Sequence, residues 1–391
     1  MTEARSRLLV AAALAGALAS LSGCGISKLW SDDKPSYGPL PKIETGSPIE
    51  RLWSVDTGAG ADKQVLRLAP QVRDNTVYVA DADGQVGAYS WSDGARRWEV
   101  DTDAPVSGGP GVGGDLVVVG TTQGDLIALD AATGAERWRA ALSSEVLAAP
   151  AVTETVVVAR TADGEVHARA KSDGSAVWRY GRAVPALSLR GDSAPVAVGP
   201  IVAVGLANGH LVGLALADGR ERWDAAVAVP SGRSELDRMV DLDGDPLLVG
   251  DTLFVTSYQG RLAAVDATTG TVLWQREFSA FQGAVTDGAF LYISDAAGDV
   301  WSIDPGTGRA LWRQQALAGR RLSPVGLADR WVGVGDNEGN LIWLAADDGH
   351  LVGHERIDRA GVTARPAGDG EQVVWLGDGG ELAAYRPLAG R

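Results

Sequence analysis

The chain lacks cysteine almost entirely, since Cys24 is the only one among 391 residues. An internal disulfide is therefore excluded, and so is a thiol nucleophile or cysteine zinc site in the body of the chain. Histidine is also scarce, and His167, His210, His350 and His354 lack the spacing of a metal motif such as H-E-x-x-H. No G-x-S-x-G segment marks a serine nucleophile. We therefore expect neither a metal site nor a catalytic centre.

Basic residues are in deficit, with 35 lysines and arginines against 50 aspartates and glutamates, which gives a net charge of −15. Nucleic acids and anionic membrane surfaces repel an acidic protein, so neither is expected to be the main partner. Sustained helical periodicity is absent as well, because no segment repeats its apolar residues with the period of a helix. A helical fold is therefore not predicted.

The one long apolar run, LLVAAALAGALASL from Leu8 to Leu21, follows Arg5 and Arg7. A basic start, a short apolar run and small residues at its end are typical of an export signal. The run is also shorter than a membrane-spanning helix requires. We therefore expect residues 1–23 to be a signal peptide.

The end of this run, Leu21 to Cys24, resembles the lipobox of bacterial lipoproteins. That resemblance implies that Cys24 receives a diacylglyceryl group and becomes the acylated N-terminus after cleavage. Gly25 follows in place of aspartate, which in lipoproteins implies transfer to the outer membrane. Residues 24–48 are rich in proline, glycine and serine and predict a flexible tether that carries the lipid. The folded body is expected over residues 49–391.

One pattern recurs along this body: a strand-like run, a turn ending in glycine, a second run, another glycine turn and a tryptophan. The stretch LIALDAATGAERW, which ends at Trp138, is one copy. The first-turn glycines are Gly84, Gly124, Gly164, Gly209, Gly260, Gly298, Gly339 and Gly380. The second-turn glycines are Gly94, Gly134, Gly174, Gly219, Gly270, Gly308 and Gly349, and each of the first six precedes a tryptophan by four positions. The corresponding position in the seventh copy is Gly353.

Runs such as DLVVVG and FLYISD have the β-branched and aromatic composition of short strands. A repeat of about 40 residues that holds four short strands is the signature of a β-propeller blade. The last copy stops before its fourth strand, and the missing strand stands at the front of the body around Trp53. The sequence therefore predicts an all-β, eight-bladed β-propeller of four-stranded blades, its last blade closed by this N-terminal strand. The repeated tryptophans are predicted to be packing residues at the outer end of each blade rather than a ligand cage.

Apart from the closure seam between Trp53 and Gly84, two consecutive connections are longer than the others, from Trp178 to Gly209 and from Trp223 to Gly260. Both run from an outer strand to the next inner strand, so we expect them to lie side by side on one face. They read RYGRAVPALSLRGDSAP and VAVPSGRSELDRMVDLDGDP. Leucines beside an arginine suit a protein contact. On composition alone, leucines tucked against the propeller and charges that only solvate a loop are the more common arrangement.

The repeat resembles the pyrroloquinoline-quinone type of propeller repeat, whose pattern A-x-D-x-x-T-G-x-x-x-W matches Ala128 to Trp138 and Ala264 to Trp274. Taken with the lipobox, the eight predicted blades and the segments LSLRGDSAP and SELDRMVDLDGDP, essentially the whole chain resembles the BamB family. These are lipoproteins of the machinery that assembles β-barrels in the outer membrane.

This resemblance implies a non-catalytic scaffold, anchored by lipid to the outer membrane and facing the periplasm, that assists folding and insertion of outer-membrane proteins. It implies binding to the periplasmic domains of the barrel component BamA, without a cofactor. The matching contact residues are Leu187, Leu189 and Arg190 in the first loop, with Asp241 and Asp243 in the second. They would act on the partner directly or by bracing each other's loops. A secondary hypothesis is that exposed outer strands add to unfolded client segments by β-augmentation.

A quinoprotein dehydrogenase shares the repeat and is the main alternative. The segment DLDGDP begins at Asp241 like a calcium loop, but Pro246 stands where that loop needs glycine and Thr252 where it needs a bidentate glutamate. The segment GPGVGG at 109–114 matches G-x-G-x-x-G, but no helix follows to bind a phosphate, so a strand and turn are predicted there. We therefore expect neither calcium nor quinone, and the chain is not expected to be an enzyme.

Overall fold

Short apolar runs bounded by glycine turns form strands throughout the body of the chain. The computed structural model describes residues 38–43, 48–61, 66–182, 193–229, 240–257, 260–280 and 282–388. The strands within these ranges form eight sheets. No helix in the described ranges is long and apolar enough to cross a bilayer.

The first half of the chain supplies two leading strands and four blades. The leading strands are β1 (Ile49–Asp56) and β2 (Arg67–Leu68). Blade 1 contains β3 (Gln71–Arg73), β4 (Thr76–Ala80), β5 (Gln85–Ser90) and β6 (Arg96–Asp101). Blade 2 contains β7 (Val106–Gly113), β8 (Leu116–Thr121), β9 (Asp125–Asp130) and β10 (Glu136–Ala141). Blade 3 contains β11 (Ala151–Val152), β12 (Val156–Arg160), β13 (Glu165–Ala170) and β14 (Ala176–Gly181). Blade 4 contains β15 (Val196–Val198), β16 (Ile201–Gly205), β17 (His210–Ala215) and β18 (Glu221–Ala226).

The second half of the chain supplies the other four blades. Blade 5 contains β19 (Leu247–Val249), β20 (Thr252–Thr256), β21 (Arg261–Asp266) and β22 (Val272–Glu277). Blade 6 contains β23 (Val285–Thr286), β24 (Leu291–Ser294), β25 (Val300–Ile303) and β26 (Ala310–Gln314). Blade 7 contains β27 (Gly326–Ala328), β28 (Trp331–Gly335), β29 (Asn340–Ala345) and β30 (Leu351–Arg356). Blade 8 contains β31 (Ala367–Gly368), β32 (Val373–Leu376) and β33 (Glu381–Pro387), with β1 as its fourth strand.

Each blade is an antiparallel sheet whose strands pair in chain order, apart from the last. The second and third strands are buried on both faces because each blade packs between two others, whereas the fourth strands are largely exposed. Eight clusters of buried apolar residues lie between consecutive blades. One of them joins Val374 of blade 8 to Val77 of blade 1. The ring is therefore closed, and the predicted eight-bladed propeller is confirmed.

The closure of the ring depends on β1. This strand pairs antiparallel with β33, from Ile49 opposite Pro387 to Asp56 opposite Glu381. Trp53 lies in β1, as predicted, and its blade thereby joins both ends of the folded body in one sheet. The closing strand covers the edge of β33 that would otherwise be left unpaired.

The repeated tryptophans pack each blade onto the next one. Trp138 of β10 lies on the second-turn glycine of blade 3, because a Cβ atom at Gly174 would come within 2.6 Å of its ring. Its indole N–H donates to the Lys171 carbonyl at 2.9 Å. The same donation recurs from Trp53 to Trp91, Trp98 to Ala131, Trp178 to Leu216, Trp223 to Ala267, Trp274 to Pro305 and Trp312 to Ala346. The prediction that these are packing residues is confirmed.

Ring closure also explains why Gly353 interrupts the tryptophan series. A tryptophan in β30 would dock on the turn between the third and fourth strands of blade 8. That turn does not exist, because β33 ends at Pro387 and the fourth strand is β1 from the other end of the body. At this junction the two fourth strands are joined instead by an ion pair, with Arg51 Nη2 2.7 Å from Glu355 Oε2.

Contact with the propeller begins ahead of the first strand. Leu40 is half-buried and packs against the apolar cluster between blades 6 and 7. The backbone N–H of Leu388 donates to the carbonyl of Pro48 at 2.7 Å, just before β1. Part of the segment that the sequence assigns to the tether is therefore in contact with the folded ring.

Candidate functional site

One end of the propeller, here called the upper rim, carries two kinds of loop. They are the turns between second and third strands and the connections from each fourth strand to the next blade. Backbone hydrogen bonds join the two kinds, such as Thr102 N to Gly84 O at 3.0 Å and Leu142 N to Gly124 O at 2.7 Å. The two long connections link β14 to β15 and β18 to β19, so both belong to this rim.

Asp241 and Asp243 lie at the end of the second long connection and are buried, with 3% and 1% of their surface exposed. Val240 and Leu242 alternate with them and are buried too. Leu242 packs in the apolar cluster between blades 4 and 5. The two carboxylates therefore lie below the surface of the upper rim.

The remaining residues expected at the site, Leu187, Leu189 and Arg190, lie outside the described residues, as does Cys24. Both flanks of their loop are described and anchored. On the near side, Arg182 Nη2 lies 2.8 Å from Asp224 Oδ2 and 3.2 Å from Glu221 Oε2 on β18. These ion pairs hold the residue that follows β14 against β18 of blade 4.

The far flank of the first loop is bound to the end of the second. The backbone N–H of Ala194 donates to Asp245 Oδ1 at 2.8 Å, a contact between residues 51 positions apart. Ser193 is fully buried beside it. The expectation that the two long connections lie side by side is therefore confirmed for their described ends.

Two arginines reach these ends from other parts of the ring. Arg365 precedes β31 in blade 8, and its Nη1 lies 3.3 Å from Asp245 Oδ2. Arg67 of β2 donates through Nη1 to the backbone carbonyl of Asp243. We call Asp245, Arg365 and Arg67, with the Asp243 carbonyl, the cross-ring strap. It joins the connection before blade 5 to the connections before blades 1 and 8.

Sequence reasoning missed Arg67, Asp245 and Arg365. The three residues stand in different connections, 120 and 176 positions from their partners, so no local spacing indicates them. Asp245 belongs to the same DLDGDP segment as the predicted contact residues Asp241 and Asp243, but its spacing does not single it out from them. The usable signal was the position of all three in the same kind of connection, since these connections share one rim.

The glycine-rich segment GPGVGG forms the end of a strand and the start of a turn, as predicted. Residues 109–113 lie in β7, and Gly114 lies in the turn before β8. Gly108 and Gly109 of β7 pair in parallel with Arg67 and Leu68 of β2. Blade 2 thereby gains a fifth strand on its inner side. A Cβ atom at Gly108 would come within 2.6 Å of the Val146 carbonyl, so glycine is required by the close approach of the connection to blade 3. This pairing places Arg67 within reach of Asp243.

A cavity of about 820 Å³ opens among the first strands of blades 1, 6, 7 and 8. Its walls include aliphatic side chains such as Val72 and Val373, with Asp287 and Arg330 among the charged groups. The described lining contains neither asparagine nor glutamate, two of the residue types with which quinoprotein dehydrogenases hold their quinone. The residues present therefore do not fit that cofactor. Arg365 lines the same cavity and links it to the strap.

A serine–histidine contact lies elsewhere on the upper rim, at the connection between blades 2 and 3. Ser143 Oγ lies 2.9 Å from His167 Nε2. The carboxylate of Glu165 approaches the same nitrogen, with 3.4 Å between Oε2 and Nε2. In a hydrolytic triad the carboxylate binds the other ring nitrogen and orients the ring toward the serine. The arrangement therefore lacks the geometry of a catalytic triad.

His167 gives a pH dependence of known sign. Burial lowers the pKa of its imidazole, and the neighbouring Arg169 acts in the same direction. The unfolded chain therefore binds this proton more readily, so stability is complete above the ordinary histidine pKa and falls as the pH drops through that value toward the folded one. Between about pH 7 and 5, His167→Gln is expected to lose less stability than the parent in urea titrations. An equal loss in both proteins would contradict this assignment.

Comparison with known proteins agrees with this architecture. A family profile described as outer membrane protein assembly factor BamB matches residues 42–108, 82–314 and 296–391. The chain is 48% identical to BamB of Pseudomonas aeruginosa, covering 96% of this chain and 98% of that protein. It is 33% identical to BamB of Escherichia coli, covering 92% and 94%.

Solved structures give the same result. The crystal structure of BamB from Moraxella catarrhalis superposes with a TM-score of 0.78 at 27% identity and covers 86% of this chain and 99% of that one. A quinohemoprotein alcohol dehydrogenase from Pseudomonas putida reaches a TM-score of 0.64 at 15% identity, covering 87% and 76%. A likeness that distant shows the propeller fold alone. Because the profile spans the folded body and the curated relatives are matched along nearly their full length, the chain belongs to the BamB family of outer membrane protein assembly factors.

Proposed function

We propose that this protein is a scaffold in the assembly of outer-membrane proteins and binds the periplasmic region of BamA through its upper rim. Its family is one of assembly factors rather than enzymes. The observation that carries the proposal is the joint between the two long connections, where Ala194 is hydrogen-bonded to Asp245. Because the described ends of the two loops are joined there, we propose that both loops bind the same partner.

The roles proposed for the individual site residues follow from their burial and charge. Leu187 and Leu189 would supply the apolar contact, and Arg190 would supply charge and orientation. Asp241 and Asp243, which are buried, would hold the rim beneath these residues. A preformed surface of this kind loses little conformational entropy on binding and requires no cofactor.

The site of action is proposed to be the periplasmic face of the outer membrane. Acylation of Cys24 would anchor the chain there, and the lipid would be its only attachment to the bilayer. An acidic protein is repelled by anionic lipid surfaces, which supports attachment by the lipid rather than by the propeller.

The test is capture of the BamA periplasmic domains by the purified protein. Arg190→Ala and the double variant Leu187→Ala/Leu189→Ala are each expected to weaken capture by at least tenfold, since truncated anchor residues commonly cost 2 kcal/mol or more (about thirtyfold). The matched controls are Arg220→Ala and Leu273→Ala, which remove side chains that are 83% and 54% exposed elsewhere. Capture that is undiminished in the rim variants would place the contact on another surface.

A further inference from the structure

The Asp245 side chain touches both the first long connection and the connection before blade 8. One carboxylate oxygen accepts from Ala194 N, and the other pairs with Arg365. Asp243, two positions earlier, accepts from Arg67 through its backbone carbonyl. The segment that ends the second loop is therefore held from three directions.

Neither charged partner is deeply buried, since the Arg365 and Asp245 side chains are 32% and 28% exposed. An ion pair at this exposure contributes little to the stability of the fold. The position of the pair in the ring says more about its role than its contribution to stability does. Blades 5 and 8 do not pack against each other. The pair therefore fixes the distance between the connections before these two blades, which the packing of neighbouring blades does not fix directly.

We infer that Asp245 and Arg365 are positioning residues for the partner-binding rim, and that this strap sets the placement of both long connections. The inference rests on the proposed function and names a further part of the same site. In this inference, the cross-ring strap does not contact the partner. It affects binding by holding the two long connections in place. Arg67 supports the same segment through the Asp243 carbonyl.

Two substitutions weaken the ion pair between Asp245 and Arg365 and leave the hydrogen bond between Ala194 and Asp245 in place. Asp245→Asn keeps a side-chain oxygen for the Ala194 N–H but removes the charge that attracts Arg365. Arg365→Gln leaves Asp245 intact and removes the charge from the other side. Each is expected to weaken capture of the BamA periplasmic domains by about tenfold, within the usual range of coupling between sites.

Arg365→Lys is the conservative variant. Arg365 contacts Asp245 through the single nitrogen Nη1 rather than through two nitrogens. The ammonium group of a lysine can therefore form much of the same ion pair. Capture by Arg365→Lys is expected to lie within about threefold of the parent, a level between the parent and the tenfold loss. Arg386→Ala, which removes an exposed partner of Glu50 on blade 8, is the matched control and should bind like the parent.

Two further readouts distinguish positioning from general destabilisation. The urea midpoints of Asp245→Asn and Arg365→Gln should stay near that of the parent, because the pair is partly exposed. Hydrogen exchange in peptides that cover residues 183–192 and 230–239 should nevertheless accelerate in both variants. A merely structural role would lower the midpoint and leave Arg365→Lys as weak as Arg365→Gln.

The outcomes are separable. A parent protein that fails to capture the BamA domains would refute the proposed function. A parent that captures them, with Asp245→Asn and Arg365→Gln unchanged, would refute the strap and leave the function standing. Loss in both variants, with rescue by lysine and unchanged midpoints, supports the inference.

Discussion

Replacing Trp138 with alanine is expected to lower the free energy of unfolding by about 3–5 kcal/mol, the usual effect of truncating a buried aromatic residue. Trp138 is 7% exposed and belongs to the apolar cluster between blades 2 and 3. Its loss would open a cavity and would also leave the Lys171 carbonyl without the indole donor. Urea titration of the variant and the parent measures the difference.

Trp138→Phe is the matched control, because it removes the hydrogen bond and keeps much of the apolar contact. Its expected effect is about 1 kcal/mol, with some further loss from the smaller ring. If phenylalanine were as damaging as alanine, the hydrogen bond and not the packing would dominate this junction. If neither variant were destabilised, the tryptophan would have no role in holding the blades together.

Gly174, which lies against the indole of Trp138, tests the same junction between blades 2 and 3 from the side of blade 3. Gly174 has φ +72° and Gly199 has φ +55°, but a Cβ atom would strike the Trp138 ring only at Gly174 and would meet nothing within 4 Å at Gly199. Both alanine variants carry the left-handed backbone penalty of about 1–2 kcal/mol. Gly174→Ala should exceed Gly199→Ala by about 1–3 kcal/mol through crowding. That excess should vanish in the Trp138→Ala background.

The repeat made the fold predictable from the sequence. The seven second-turn glycines have φ values between 69° and 75°, so one backbone requirement recurs at each of those turns. The fixed distance from each glycine to its tryptophan places the tryptophan as the third residue of the fourth strand in each of these blades. Trp53 was assigned to the last blade because the copy at the end lacks a fourth strand, and the pairing of β1 with β33 confirmed it.

The site was less predictable, because it depends on contacts that break the repeat. The D-x-D spacing of Asp241 and Asp243 suits an exposed loop as well as a buried one, so their burial could not be inferred. Arg365 meets Asp245 only because blades 5 and 8 belong to the same ring. A cross-ring ion pair leaves no periodic mark in the sequence, and it becomes visible only once the ring is closed.

A second departure from the repeat lies in blade 7, where a buried ion pair joins a connection to a turn. Arg320 precedes β27 and is 5% exposed, while Asp336 follows β28 and is fully buried. Arg320 Nη1 lies 2.6 Å from Asp336 Oδ2 and 2.8 Å from Glu338 Oε2. Asp336 Oδ1 also accepts from the backbone N–H groups of Glu338 and Asn340, so one carboxylate organises the whole turn.

Arg320→Ala is expected to destabilise the propeller by about 3–5 kcal/mol, because it leaves a buried carboxylate without its cationic partner. Asp336→Asn in the Arg320→Ala background should recover part of that loss, since it neutralises the unpaired charge and keeps an acceptor for the turn. Arg386→Ala, whose ion pair with Glu50 is exposed, should change the free energy of unfolding by about 0–1 kcal/mol. Equal effects of Arg320→Ala and Arg386→Ala in urea titration would show that burial adds nothing to the importance of this pair.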